Sequence, residues 1–304
     1  MSVCPICFSP DVRQQGRDLL FEDNVFMVCT RCGHGFCSKP FEDFQDSPEK
    51  YNQDVFYGAE GTPLSEYGEF LSNIPISAAN QYCKLFLKYT SGKSFLEIGC
   101  GPGAFLKYLA QHSDFILHGN EISPKACQYA HDDLHIPMTN QAFTKELYLP
   151  QTFDMVFLCQ VIEHIPDVQT FVRDIHAVCN PHAIVGVVCP NHYSLTSGLK
   201  RKLFYPFRKT HEFGQLCWPM HLQGFSLSSL KWLMVNAGFS PVYVATLSRS
   251  QRAYPFPLTR SDKLLFPVFV AEYLLGRGNI IIAYFQKTVK NKDDTDRADT
   301  EIKR

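Results

Sequence analysis

Three groups of residues in this sequence have the types and spacing to do chemistry. The first is "FLEIGCGPGAFLKYLA", residues 95–110, where Glu97 closes an apolar run and a turn carrying Gly99, Gly101 and Gly103 follows. Glycine lets a backbone curl and come close to a ligand where a Cβ would prevent it. Gly99-x-Gly101-x-x-Ala104 matches in form the dinucleotide fingerprint, in which alanine can replace the third glycine. Taken alone, the stretch suits a dinucleotide, another nucleotide-like ligand or a purely structural tight turn.

The second group is a pair of pairs, Cys4-x-x-Cys7 in "CPIC" and Cys29-x-x-Cys32 in "CTRCGHGF". Two tight knuckles on neighbouring hairpins deliver four thiolates to the corners of a tetrahedron, which is what a zinc ribbon needs. Four cysteine ligands leave no position for water, so the spacing predicts a structural zinc and not a catalytic one. Gly33 suits backbone amides that turn back toward the sulfurs. His34 and Cys37 lie near without the pair spacing and are not expected as ligands.

The third is "CQVIEHIP", in which Cys159, Gln160, Glu163 and His164 follow the continuously apolar "FDMVFLC". Imidazole titrates near neutrality, so His164 suits proton transfer, with Glu163 beside it to orient it. The competing role is a histidine that caps or packs the following helix.

These groups need elements to position them. A helical pattern at 78–90 is followed by strand patterns at 94–99, 115–121, 136–140, 153–159 and 183–189, with helical patterns between. "VQTFVRDIHAVC" has helix spacing and stops at Asn180-Pro181. The succession β-α-β-α-β predicts an α/β chain with a parallel sheet and ligands at the carboxyl ends of its strands. The glycine turn then falls at the switch point. A helix at 226–238 and strands at 241–247 and 278–286 complete seven strands, with insertions at 191–224 and 249–276. The expected domains are a zinc-ribbon-like module at 1–40, a connector or lid at 41–77, the main domain at 78–287 and a disordered tail at 288–304. Tyr57 and Tyr67 in the connector are expected to pack on the main domain or reach its pocket.

Composition narrows the function. The 304 residues carry 29 Lys and Arg against 30 Asp and Glu, a net charge of -1 that provides no broad attraction for polyanions. No secretory pattern opens the chain and no run of about 20 apolar residues follows. With 12 cysteines, a reducing cytoplasmic location is expected.

Glu97 before a turn with the extra Gly103 resembles motif I of the class I S-adenosylmethionine-dependent methyltransferases. The resemblance continues in "HGNEIS" and in "FDMVFLCQVIEHIPDVQTFVRDIHAVCNPHAIVGVVCPN", and covers residues 78 to 190 with three motifs in order. It implies a Rossmann-like seven-stranded sheet with helices on both faces and a last, antiparallel strand inserted beside its neighbour. It also implies that Glu97, Gly99, Cys100, Gly101 and Gly103 hold the methionine half of S-adenosyl-L-methionine. Glu121 would take the two ribose hydroxyls, and Ile122 would pack on the adenine with Ala142 and Phe143 on its other side. Cys159 and Gln160 would line the cofactor at the fourth strand end, with His164 facing the methyl group. Many relatives carry an acid near position 141, where this chain has "TNQAF"; backbone contacts or Gln141 would substitute.

"VIEH" is similar to ubiquinone-biosynthesis O-methyltransferases and small-RNA 2′-O-methyltransferases, in which a Glu-x-x-Glu-His pattern binds a divalent metal. Gln160 replaces the first acid here, so no catalytic metal is expected. "PMHLQGFSLSSLKWLMVNAGF" resembles a stretch of bacterial methyltransferases associated with sugars, polysaccharides and secondary metabolites, which places His221 near the acceptor. His192 is a further acceptor contact or a packing residue. Together with the cysteine pairs, the chain is similar to the zinc-ribbon-bearing members of that group. The implied function is methyl transfer to a small molecule, sugar-containing or lipid-linked, with nucleic acid an unlikely partner. Segments 200–209 and 264–276 suit either contact with a membrane surface or a solvated loop and a buried helix. The competing functions are an rRNA methyltransferase that recognises RNA through the ribbon, and a non-catalytic cofactor-binding protein.

Overall fold

The computed structural model describes residues 3–19, 21, 23–39, 75–207, 213–218, 220–251 and 262–289. Tyr57, Tyr67, the connector up to residue 74 and the tail from residue 290 lie outside them.

The first strands, β1 (Val12–Arg17), β2 (Val25–Cys29) and β3 (Gly35–Cys37), pair antiparallel in sequence order. The chain then alternates as its apolar periodicity predicts. Helix α1 (Ile76–Tyr89) leads into β4 (Ser94–Ile98), α2 (Ala104–His112), β5 (Ile116–Asn120) and α3 (Pro124–Leu134). The short β6 (Met138–Thr139), β7 (Phe153–Cys159), α4 (Val168–Val178) and β8 (Cys179–Pro190) follow. Beyond them come α5 (Leu195–Leu199), β9 (Gln223–Gly224), α6 (Leu227–Asn236), β10 (Phe239–Leu247), α7 (Asp262–Leu274) and β11 (Ile280–Lys287).

The main sheet has the order β10-β11-β8-β7-β4-β5-β6. The pairs around β4 are parallel, and β11 runs antiparallel to both β8 and β10. Side chains alternate between two buried faces, as the strand period requires. Phe95, Met155 and Phe157 join Tyr82, Phe86 and Phe105 on one side, while Leu96, Val156 and Leu158 join Phe171, Val172 and Phe239 on the other. Gly186 sits under the aromatic cluster because a Cβ there would stand 2.9 Å from Phe157 and 3.0 Å from Phe86.

Several boundaries differ from expectation. Strand β6 is two residues and not five, β8 begins at Cys179 and not 183, and α6 ends at Asn236, two residues before the left-handed Gly238. The larger difference is in the 191–224 insertion. Its strand β9 leaves the main sheet and pairs with β3, Gly35 opposite Gly224 and Phe36 opposite Gln223. Phe213 stacks on Phe26 with ring centroids 5.4 Å apart, and the Tyr205 hydroxyl bonds the backbone of Arg17. Part of the insertion therefore completes the N-terminal sheet. Among the described residues no helix is long and apolar enough to cross a membrane.

Candidate active site and metal centre

At the end of β4 the chain turns through three left-handed glycines, Gly99, Gly101 and Gly103, with φ of 66°, 54° and 82°. The Gly99 and Cys100 amides donate to the Asn120 carbonyl at 2.8 and 3.0 Å, so the turn is tied to the end of β5. There Glu121 accepts from the amides of Gly101 (2.7 Å) and Ser123 (2.9 Å). Glu97 and Glu121 are both buried. Burial raises both carboxyls above the usual range, and for Glu97 the nearby Glu121 raises it further. Glu97 Oε2 has no hydrogen-bond partner. Two buried acids, one with an orphaned oxygen, beside a backbone free of side chains fit a ligand with cationic and hydroxyl groups. S-adenosylmethionine, with its ammonium, sulfonium and ribose, has that chemistry.

The proposed adenine side is held by two asparagines that sequence reasoning did not single out. Asn140 donates to the carbonyls of Glu121 and Ile122 at 2.8 and 3.1 Å, and Asn120 to that of Gln141 at 3.0 Å. These bonds fix Ile122 and the 140–143 segment, with Ala142, at adjacent strand ends. Phe143 packs against Tyr148 and Phe171, with centroids 5.8 and 5.6 Å away.

Strand β7 ends at the half-buried Cys159, and Gln160 takes a left-handed φ of 59°. A single turn, Ile162–His164, follows. The cofactor turn abuts this segment: a Cβ on Gly99 would lie 2.5 Å from Val161 Cγ2. Glu163 is 1% exposed, neither of its oxygens has a hydrogen-bond partner, and burial raises its carboxyl to about 8. His164 Nδ1 donates to the Met220 carbonyl at 2.6 Å, and His221 Nδ1 to that of Gln215 at 2.9 Å. Burial, with His221 adding to it, lowers His164 to about 3. The two rings meet edge to face at 4.9 Å, and His164 Nε2 lies 3.9 Å from Glu163 Oε1.

One ligand atom from each of Glu163, His164 and His221 lies within 4.8 Å of the others. Two chemistries are open to this trio. A neutral imidazole whose Nδ1 holds the proton presents Nε2 as a base, and a carboxylate with two so-oriented imidazoles is a donor set for a divalent cation. The expectation of no catalytic metal rested on Gln160 replacing an acid, whereas folding brings His221 in as a third donor. His192 is 1% exposed and packs between Gly35 and Gly224, where a Cβ on either would meet its ring at 3.0 Å. That enclosure suits the packing role, and its Nδ1 has no hydrogen-bond partner.

Cys4, Cys7, Cys29 and Cys32 converge with their sulfurs within 4.8 Å of one another and no disulfide among them. The Cys4–Cys32 and Cys7–Cys29 sulfur separations are 3.6 and 3.5 Å. A tetrahedron of ~2.3 Å Zn–S bonds requires sulfurs about 3.8 Å apart, so the four fit a zinc ion. The Ile6 amide points at Cys4 Sγ (3.4 Å), and the Cys32 thiol beside it lowers Cys4 to about 5. The Gly33 amide, at φ 72°, bonds the Cys29 carbonyl and not a sulfur. Gln169 on α4 donates to the carbonyls of Pro5 and Ile6, docking the first knuckle on the main domain.

Sheet order, glycine turn and paired acids define a class I S-adenosylmethionine-dependent methyltransferase. Residues 76–244 match the family described as Methyltransferase domain, and the chain belongs to that family. A ubiquinone biosynthesis O-methyltransferase of Rhodopseudomonas palustris (strain HaA2) is 28% identical over 156 residues, 46% of this chain and 60% of its own length. The norajmaline N-methyltransferase of Rauvolfia serpentina is 25% identical over 111 residues, 34% of this chain and 38% of its own. The chain thus spans less than two thirds of the length of these relatives. Among solved structures, an S-adenosylmethionine dependent methyltransferase from Mesorhizobium loti aligns with a TM-score of 0.49 at 17% identity, covering 69% of this chain and 98% of that one.

Proposed function

We propose that this protein transfers a methyl group from S-adenosylmethionine to a small-molecule acceptor. The observation that carries the reading is the abutment of Gly99 on Val161, which sets the cofactor turn directly against the segment bearing Glu163 and His164. The cofactor supplies a sulfonium methyl whose displacement releases a neutral thioether. Glu97 and the glycine turn hold its methionine half, Glu121 its ribose, and Ile122, Ala142 and Phe143 its adenine, with Cys159 and Gln160 at the strand end. Held in this way, the cofactor would be aligned for in-line displacement of its methyl by the acceptor. His164, its ring oriented by the Nδ1 bond to the Met220 carbonyl, takes the acceptor's proton at Nε2, with Glu163 Oε1 3.9 Å from that nitrogen. Labelled cofactor incubated with cell extract, followed by mass spectrometry of the products, tests the proposal. Absence of S-adenosylhomocysteine formation with every fraction would favour a non-catalytic cofactor-binding protein, and strongly salt-dependent RNA binding would favour an rRNA substrate.

A second reading is favoured by the orphaned carboxylate of Glu163: the trio holds a divalent cation, which would polarise an acceptor hydroxyl. Metal analysis after dialysis against magnesium, manganese or zinc checks it. A second equivalent that disappears in Glu163→Gln supports the cation, and a single equivalent in both proteins rejects it.

The acceptor we favour is sugar-containing or lipid-linked. A cavity of about 450 Å³ runs along α7, with Gln81, Tyr243, Thr246, Gln251, Phe266 and Tyr273 in its lining, a mix of amides, hydroxyls and aromatic faces. Leu265, Phe266, Tyr273 and Leu274 of α7 are exposed, as are Leu203 and Phe207 of the 200–209 segment. Both surfaces suit peripheral contact with a membrane. Pelleting with anionic liposomes tests the contact, and no binding at low salt would reject it. We place the protein in a reducing cytoplasm, where its 12 cysteines would bind metal or fill cores and not pair; disulfides found by thiol alkylation of protein from intact cells would reject that placement.

A further inference from the structure

Strand β9 lies between the zinc-bearing hairpin and the Glu163–His164 turn and is bonded to both. The Leu222 amide donates to the Glu163 carbonyl at 2.9 Å, and the Leu222 carbonyl accepts from the Cys37 amide at 3.0 Å. One peptide unit apart, Gln223 does the same with its side chain. Its Oε1 accepts from His34 Nε2 at 2.9 Å, and its Nε2 donates to the carbonyls of Ile165 and Pro166 at 3.1 and 3.3 Å. The Cys37 thiol donates to the His221 carbonyl at 3.6 Å. On the far side, Ser226 and Ser228 donate to the carbonyl of Cys32 at 3.3 and 3.0 Å. His34, Gln223 and Glu163 are all buried, so water does not compete for these bonds.

We infer that the zinc-bearing hairpin positions His221 and His164 for the acceptor, and that Gln223 is the positioning residue that joins them. The inference rests on the proposed role of the Glu163–His164–His221 trio. A strand of two residues has little stability of its own, so β9 depends on its pairing with β3 as well as on its bonds to the Glu163–His164 side. The hairpin, in turn, is too small to fold on an apolar core alone and depends on its four cysteines and their metal. Zinc occupancy, the β3–β9 pairing and the register of His221 therefore form one chain of dependence. Gln223 adds the side-chain link, since its amide satisfies a donor on the hairpin side and two acceptors just beyond His164. Loss of either end leaves buried polar groups unmatched.

The test uses the full chain and two perturbations, chelator-stripped protein and Gln223→Leu, read by imidazole 15N NMR and hydrogen exchange. In the intact protein His164 and His221 carry the proton on Nδ1. Both perturbations are expected to convert these rings to averaged tautomers and to speed exchange of residues 161–166 and 221–224 by about tenfold or more. Residues 94–120 and the affinity for S-adenosylmethionine should stay unchanged. If stripping also exposes residues 94–120, the chain has unfolded, and Gln223→Leu decides. Fixed tautomers and unchanged exchange in Gln223→Leu would overturn the inference. Because none of these readouts needs turnover, failure to find a methyl acceptor would count against the proposed function without touching this result.

Discussion

His164 and His221 meet edge to face with ring centroids 4.9 Å apart, each with Nδ1 committed to a backbone carbonyl. Neither ring is free to choose its tautomer, so proton transfer is confined to Nε2. His164→Ala should lower turnover about 100-fold, the usual scale of general-base loss, with cofactor affinity unchanged by calorimetry. Unaltered turnover would make His164 structural.

Gly99 combines a φ of 66° with a would-be Cβ 2.5 Å from Val161. Gly99→Ala should cost about 2 kcal/mol of stability from backbone strain and crowding and abolish measurable cofactor binding. Adding Val161→Ala removes the crowding but not the strain, so denaturant titration should show partial recovery only.

Cofactor affinity should rise with pH. Burial and Glu121 hold the Glu97 carboxyl above its ordinary range, so the ligand-free protein keeps that proton where a free carboxylate has lost it. Binding a cationic ligand favours the ionised form and releases the proton, and a proton-releasing reaction strengthens as pH increases until the raised pKa is passed. For the ligand-free fold the sign is opposite: stability falls as pH rises from the unfolded carboxylate's range to the raised value. Calorimetry in buffers of different ionisation enthalpy should report proton release, which Glu97→Gln reduces.

Zinc analysis should return one tightly held equivalent through the cysteine cluster. Cys4→Ser or Cys32→Ser should remove it and lower the melting temperature. A loss on the order of 3 kcal/mol corresponds to roughly 5 °C in a chain of this size. An unchanged melting temperature would argue against a structural ion.

Elements with strong periodicity were readable in the sequence. "FDMVFLC" is apolar at every position but Asp154 because β7 is covered on both faces, and the glycine turn follows its strand as the alternation requires. The four cysteines announce one another through spacing alone. His221 was singled out without its partners, because nothing in the order of residues shows that it folds onto Glu163. Strand β9 left no pattern, since two residues have no period. Its trace in the sequence is Gln223, a polar residue in "HLQGF" that proves to be 5% exposed. Asn120 and Asn140 were equally silent, as their work is done through backbone carbonyls.

The pairing of β3 with β9 joins residues 35–36 to 223–224, which sets an order of events on the ribosome. The hairpin emerges first, and its cysteines would be free to take up the proposed zinc early, but its last sheet partner is synthesised only after most of the main domain has appeared. Until then the edge of β3 stands unpaired, exposed to neighbouring chains or open to a chaperone. Truncations ending before residue 223 are expected to leave that edge uncovered.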